Sequence, residues 1–362
     1  MTKAIRDKMS EAVEKSVFPG AVLLAGLGGK LILHEAFGYA SIVPRRVPMT
    51  RRTRFDLASL TKPLATATAI MLLVNEGRID LSDSVERWIP EFGNGGKSKA
   101  TVFHLLNHSS GLRALRPYHR EFIRSRKKAG SRAARRRIFE RLVREKTIYP
   151  PGTRSLYSDL GFMLAGKIVE TAGGMRLDRF CRRRLFSPLG LSTLGYRRVT
   201  GQNPKSGRYA ATERCAWRRR VLCGEVDDSN AYVMGGIEGH AGLFGTGLDV
   251  YRFAQAILDA ANGSGGMVPQ ALADRFVTRA GTPGSSWALG WDTPSAPSTS
   301  GRYFSPRSFG HLGFTGCSIW CDRDRELIVV LLTNRIHPSA RNNRIRAFRP
   351  VIHDVIVREL AA

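Results

Sequence analysis

Ser59-Leu60-Thr61-Lys62 is the combination in this chain best suited to covalent chemistry. A serine hydroxyl is a weak nucleophile until a neighbouring base takes its proton. A lysine three residues further on shares the same helix face, and Pro63 follows at once. Proline is tolerated only in the first turn of a helix, so the helix must begin at or near Ser59. That places the hydroxyl at a helix N-terminus, where unpaired N–H groups and the dipole favour developing negative charge. The predicted chemistry is acyl transfer: Ser59 attacks a carbonyl, and a neutral or partly shielded Lys62 amine takes the proton. Ser125-Arg126-Lys127-Lys128 carries the same letters. There the lysine sits among like charges, and no proline or apolar run fixes a helix start, so Ser59 is preferred on context.

The histidines are more ambiguous. His104 and His108 have i,i+4 spacing on a predicted helix, but no third histidine or acidic ligand accompanies them, so no metal centre is expected. His108 reads as structural. His240, in the Gly-rich stretch EGHAGLFGTG, has two readings: a wall of the active site, or a buried ring that organises its loop. Asp227, Asp228 and Asn230 are candidates for a pocket edge with no assignable role.

Apolar periodicity supplies the elements that must position these groups. Residues 3–16 read as an amphipathic helix with Ile5, Met9, Ala12 and Val13 on one face. AVLLAGLGGKLILHEAFGYA reads as two strands about Gly28-Gly29. TKPLATATAIMLLVNEG, TVFHLLNHSSGL, YSDLGFMLAGKIVETAGG, LDRFCRRRLFSPLGL and LDVYRFAQAILDAANG read as helices, as does roughly 341–360. SSWALGWD, GFTGCSIWCD and ELIVVLLTN read as strands. Strand signals thus lie near both ends and helices fill the middle. The expected fold class is α/β (α+β): an antiparallel sheet flanked by helices, plus a mostly helical insertion. Residues 1–362 form a single unit, with 1–55 and 236–362 as the α/β part. Residues 56–235 form the helical part, carrying a basic insertion at 113–146. Linkers are expected at 200–207 and 293–301.

FDLASLTKPLATATAIMLLVNEGRIDLSDSV resembles the nucleophile helix of class C β-lactamases and the related DD-peptidases and esterases. TVFHLLNHSSGL, PPGTRSLYSDLGFMLAGKIVE and FGHLGFTG are similar to that group's next landmarks, in the same order. The resemblance spans roughly residues 15–335. GEVDDSNAYVMGGIEGHAGLFGT and LLTNRIHP further resemble the penicillin-binding-protein and carboxypeptidase-like serine hydrolases. It implies that Tyr157 holds or relays a proton beside Lys62. The family's Tyr-x-Asn is here Tyr157-Ser158-Asp159. The charge of Asp159 disfavours an anionic β-lactam side chain and alters the pKa of Lys62. His311-Leu312-Gly313 takes the place of the family's Lys-Thr-Gly or His-x-Gly strand, preferred over the rival His240-Ala241-Gly242 because a strand, a turn and a strand follow it. Gly313 lets substrate approach the backbone, and the N–H groups of Ser59 and Phe314 form an oxyanion hole. His311 and Leu312 weaken the anchor for a substrate carboxylate. The resemblance therefore implies a serine hydrolase of D-alanyl-D-alanine carboxypeptidase or carboxylesterase type, ahead of β-lactamase, needing no cofactor or metal.

Composition agrees with a globular enzyme: 43% of the 362 residues are hydrophobic and 24% charged. No apolar run is long enough for a membrane span. The mixed, charged N-terminus lacks a secretory core, which predicts a cytoplasmic protein, or a periplasmic or extracellular one whose leader was removed. Five cysteines without a C-x-x-C pair read as free thiols. The net charge of +27 is extreme. Residues 113–146 hold fourteen Lys/Arg against three Glu. Such a run is either a solvated face or a surface for an anionic polymer or membrane. Few aromatics interleave it (Tyr118, Phe122, Phe139), so nucleic acid is not the expected partner. A non-catalytic scaffold binding an anionic partner there is the alternative of another class.

Overall fold

The computed structural model describes residues 2–93, 97–123, 129–200 and 208–361. Its described strands, in chain order, are β1 (Gly20–Leu27), β2 (Lys30–Ser41), β3 (Val47–Pro48), β4 (Phe55–Asp56), β5 (Gly195–Tyr196), β6 (Ala211–Cys215), β7 (Arg220–Cys223), β8 (Leu243–Gly245), β9 (Phe309–Leu312), β10 (Ser318–Asp322) and β11 (Leu327–Thr333). Six of them form an antiparallel sheet in the order β3-β2-β1-β11-β10-β9.

The two ends of the chain meet in this sheet, because β1 pairs with β11 along its whole length, from Ala21–Thr333 to Leu27–Leu327. Side chains alternate across a strand, and here both faces are buried. Val22, Leu24, Ile328, Val330 and Ile319 join the main core. Ala21, Leu23, Ala25, Val329, Leu331 and Trp320 join a second core under the terminal helices Lys3–Glu14 and Ile345–Leu360. Ile5, Met9 and Ala12 face that second core, as their spacing predicts, with Val13 partly buried beside them.

The helical segments beyond the sheet converge on the residues around Ser59. The helix Asp159–Gly173 starts on a Ser158 N-cap and ends at Gly174 in the left-handed region. It meets the segment 238–240 at an unusually close backbone contact. A Cβ on Gly239 would lie 2.0 Å from the Phe162 carbonyl oxygen, and one on Gly166 would lie 2.8 Å from the Gly239 Cα.

Two expectations need correction. SSWALGWD is not a strand: Trp287 and Asp292 are bridged across a tight turn, with Gly290 at φ +84°. A Cβ at Gly290 would meet the Ala67 methyl at 2.5 Å, so packing against the nucleophile helix overrides the apolar alternation. The mostly helical middle of the chain also holds strands that the pattern does not mark: the β6–β7 hairpin, and β5, which joins β4 and β8 in a three-stranded sheet, all too short to give a period-2 signal. Finally, the predicted helix after Ser59 is composite: a 3-10 turn (Ala58–Leu60), a π segment (Lys62–Ala67) and an α-helix (Thr68–Asn75). The rival Ser125–Lys128 motif and nearly all of the 200–207 linker lie outside the described residues. All five cysteines are free thiols. Among the described residues no helix is long and apolar enough to cross a membrane.

Gly239→Ala is expected to cost roughly 1–3 kcal/mol of stability, since the added methyl must displace backbone. Thermal melts of parent and variant check this; an unchanged Tm would show that the 238–240 segment yields freely.

Candidate active site

Ser59 sits on the 3-10 turn that opens the composite helix. Ala58 before it has φ +47°, a region that costs a residue with a Cβ about 1–3 kcal/mol. The strain is held by Asp56, whose carboxylate accepts from the N–H of Ala58 at 2.9 Å and from that of Asp227 at 2.7 Å. Burial pushes the Asp56 carboxyl up to about 6, against the pull of those two bonds. Nothing in the local residue pattern signals this bracket.

Lys62 lies one turn on and is fully buried. Its Nζ donates to Ser59 Oγ at 3.0 Å, to Asp159 Oδ1 at 2.7 Å and to the His240 carbonyl at 3.3 Å. The Tyr157 ring lies 4.8 Å and the Phe162 ring 5.7 Å from the same nitrogen. Burial alone would lower the pKa of this ammonium, but the Asp159 carboxylate and Tyr157 outweigh it and leave it raised above the ordinary lysine value. Resting Lys62 is therefore charged, not neutral as its burial alone suggests. The Tyr157 hydroxyl interacts with both Lys62 and Ser59; burial raises its pKa although Lys62 opposes this, so it rests as a neutral phenol.

An aromatic wall stands over these groups. Trp287 lies 5.2 Å from the Tyr157 ring, 5.4 Å from His311 and 4.6 Å from His108. His108, at φ +61°, accepts the Ser158 N–H on Nδ1 at 3.0 Å and stacks 4.6 Å from Tyr157. It fixes the Tyr157-Ser158-Asp159 turn, which refines its structural reading. His104 acts elsewhere, completing a capping box with Thr101. Burial and the Lys62 charge hold His108 well below its ordinary pKa and His311 at about 3. Both rings are neutral, so His311 offers no cation to a substrate carboxylate.

His311 occupies β9, and the turn beyond it brings Gly313 against the nucleophile. A Cβ on Gly313 would lie 2.7 Å from the Leu57 carbonyl oxygen. Phe314 follows, 55% exposed, with the Arg335 guanidinium 4.8 Å from its ring and bonded to its carbonyl oxygen at 2.6 Å. The structure thus brings Ser59, Lys62, Tyr157, Asp159, His311, Gly313 and Phe314 into one place. His240 joins them through its backbone. Its carbonyl holds Lys62, while its buried ring meets Asp228 at 3.1 Å. Burial lowers the His240 imidazole, but Asp228 more than compensates and leaves it raised; Asp228 is correspondingly lowered. Trp287 and Asp228 are the site residues that local patterns did not single out with a role. Asn230 is taken up by the His119 N–H and the Arg116 carbonyl instead.

The family model described as Beta-lactamase matches residues 5–350. A Bacillus subtilis (strain 168) protein named N-acetylmuramyl-L-alanine amidase is 34% identical, over 93% of this chain and 82% of its own. A Salmonella agona (strain SL483) protein, named provisionally as a D-alanyl-D-alanine carboxypeptidase, is 31% identical over 91% of this chain and 81% of its own. Among solved structures, the octameric penicillin-binding protein homologue from Pyrococcus abyssi superposes with a TM-score of 0.76 at 20% identity, covering 98% of this chain and 77% of that one. EstCE1, a hydrolase with promiscuous acyltransferase activity, superposes with a TM-score of 0.74 at 23% identity, covering 96% and 98%. These two likenesses show the fold.

A raised His240 pKa has a defined consequence for stability. The pairing with Asp228 contributes fully below the unfolded histidine value of 6.5 and is lost as pH rises through the folded one. The stability difference between parent and Asp228→Asn is therefore expected to be larger at pH 6 than at pH 9. Denaturant titrations at both pH values check it; a difference that grows with pH would contradict the pairing.

Proposed function

We propose, from the premise that the chain belongs to the β-lactamase family of hydrolases, that it is a serine hydrolase working through an acyl-enzyme on Ser59. The observation that carries this reading is the buried Lys62 ammonium at 3.0 Å from Ser59 Oγ, with Asp159 at 2.7 Å on its other side. Only a deprotonated amine can accept the serine proton, so acylation requires Lys62 to lose one first. That proton leaves to solvent, and because Asp159 holds it on Lys62, attack becomes increasingly favourable as pH rises. Ser59 then adds to the carbonyl, its proton passes to Lys62, and Tyr157 relays a proton to the leaving group. The N–H groups of Ser59 and Phe314 stabilise the oxyanion, a pairing supported by the close approach of Gly313 to the Leu57 carbonyl. Water releases the acyl group by the reverse proton path.

Substrate choice follows from what replaces the usual cations. A neutral His311 beside Leu312 gives a substrate carboxylate little to bind. The wall of Trp287, Tyr157 and His311 suits an uncharged acyl portion. This favours carboxylesterase work over β-lactam hydrolysis. D-alanyl-D-alanine carboxypeptidase work, whose substrate carries a terminal carboxylate, is supported instead by the names of the Bacillus and Salmonella relatives, which point to the amide- and peptide-directed side of the family.

Ser59→Ala is expected to reduce hydrolysis of a small activated ester by roughly a thousandfold or more, and to abolish labelling by a fluorophosphonate probe and by a fluorescent penicillin. Peptide mass spectrometry locates the adduct; labelling at another serine, or full turnover by the variant, would sink the assignment. Asp159→Asn removes what keeps Lys62 charged. The rise of kcat/KM with pH should then move to lower pH, and an unmoved profile would count against Lys62 as the proton acceptor.

A further inference from the structure

The net charge of the chain is concentrated where the catalytic reading leaves it unexplained. Part of the 113–146 run is neutralised internally. Arg135 bonds Glu238 at 2.8 Å and Glu170 at 3.1 Å, Arg137 and Arg141 share Glu121, and Arg136 lies near Glu140. A second group of cations is only partly neutralised. Arg113, Arg116, Arg141, Arg144 and Lys146 line an open cleft of about 440 Å³ around one carboxylate, Glu145. That carboxylate is already occupied, by Arg116 at 3.1 Å and by the Tyr118 hydroxyl at 3.0 Å. Among the described residues, Arg113, Arg144 and Lys146 have no acidic partner, and all three are exposed.

This cleft is tied to the catalytic turn by backbone. The Ser158 hydroxyl donates to the Arg113 carbonyl at 2.8 Å, and the Asp159 N–H donates to the Ala114 carbonyl at 2.8 Å. Arg113 and Leu115 thus flank the residue that holds Lys62. The opposite bank is fastened alongside, through the Ile148 N–H and the Gly111 carbonyl at 2.8 Å. A ligand held at Arg113 would lie beside the segment bonded to the Ser158-Asp159 turn. The charge of Asp159 itself is met by Lys62 and does not oppose it.

We infer that this cleft is a binding subsite for the non-reacting part of the acyl donor, and that this part is a chain bearing two or more carboxylate or phosphate groups. The inference rests on the acyl-serine reading and narrows its substrate class. Two or three cations that lack carboxylate partners at a concave rim would raise the local concentration of such a donor. The residues that line the cleft carry no aromatic ring on which a base could stack. A charged chain without bases therefore fits better than nucleic acid.

Three matched chromogenic esters of one acyl group test it: one with a neutral leaving-group tail, one with two carboxylates and one with two phosphates. The parent protein is compared with the triple variant Arg113→Gln, Arg144→Gln, Lys146→Gln, whose positions are exposed and outside the catalytic groups. The expected result is a KM for the tailed esters at least fivefold lower than for the neutral one, erased by the triple variant or by high salt, with kcat and the neutral ester unaffected. The carboxylate and phosphate arms then say which anion is preferred. Equal KM values for all three esters in the parent, or a tail preference that survives the triple variant, would overturn the inference while activity on the neutral ester kept the acyl-serine reading standing. A parent inactive on all three esters would overturn that reading, and the subsite with it.

Discussion

A fully buried ammonium is the constraint on which the rest of this structure depends. Removing Lys62 from water costs several kcal/mol unless its charge is met on all sides. It is met by a carboxylate (Asp159), a hydroxyl (Ser59), a carbonyl (His240) and two ring faces (Tyr157 and Phe162). These groups come from three separate stretches of chain. The charge is stable only if the nucleophile turn, the start of the Asp159–Gly173 helix and the 238–240 segment arrive together. The same arrangement places a proton donor and acceptor at Ser59, so what stabilises the buried charge is also what would govern the chemistry.

The fold delivers those stretches by long-range contacts. Thr66 donates to the Gly239 carbonyl at 2.7 Å, and Gly239 lies directly on the helix backbone at Gly166, so the 238–240 segment is clamped between two helices. Arg135 fixes Glu238 at the outer end of that segment. On the far side, β9 is held by β10, and β10 by β11, which pairs with β1. The turn carrying Gly313 and Phe314 is therefore anchored in the sheet made by both chain ends. A rigid sheet on one side and packed helices on the other leave Ser59 between two fixed surfaces, which is the preorganisation an oxyanion site needs.

Much of this was readable from local pattern. The i,i+3 spacing of Ser59 and Lys62 with Pro63 behind them, the Gly28-Gly29 turn, and the continuous apolar runs of β1 and β11 are all short-range signals. The motifs around Tyr157 and His311 are legible through their resemblance to those of the family, in the same order. What escaped was set by contacts between distant residues. The alternation of Trp287, Leu289 and Trp291 looks like a strand until Ala67 leaves no room for a Cβ at Gly290. The His240–Asp228 pair joins two segments whose loops carry no periodicity. The sense of the Lys62 shift could not be read either: burial pushes it down and Asp159 pushes it up, and only the 2.7 Å separation decides between them.

The charge state of Lys62 is the point at which the acyl-serine reading is most exposed to test. The protein would be prepared with lysine labelled at the side-chain nitrogen, and the Lys62 resonance, assigned by its loss in Lys62→Arg, would be followed by NMR against pH. The expected result is an ammonium signal that persists beyond 10.5, where an ordinary lysine is half neutral. A Lys62 amine already neutral at pH 7 would contradict it, and would mean that Asp159 does not hold the proton on which the proposed attack depends.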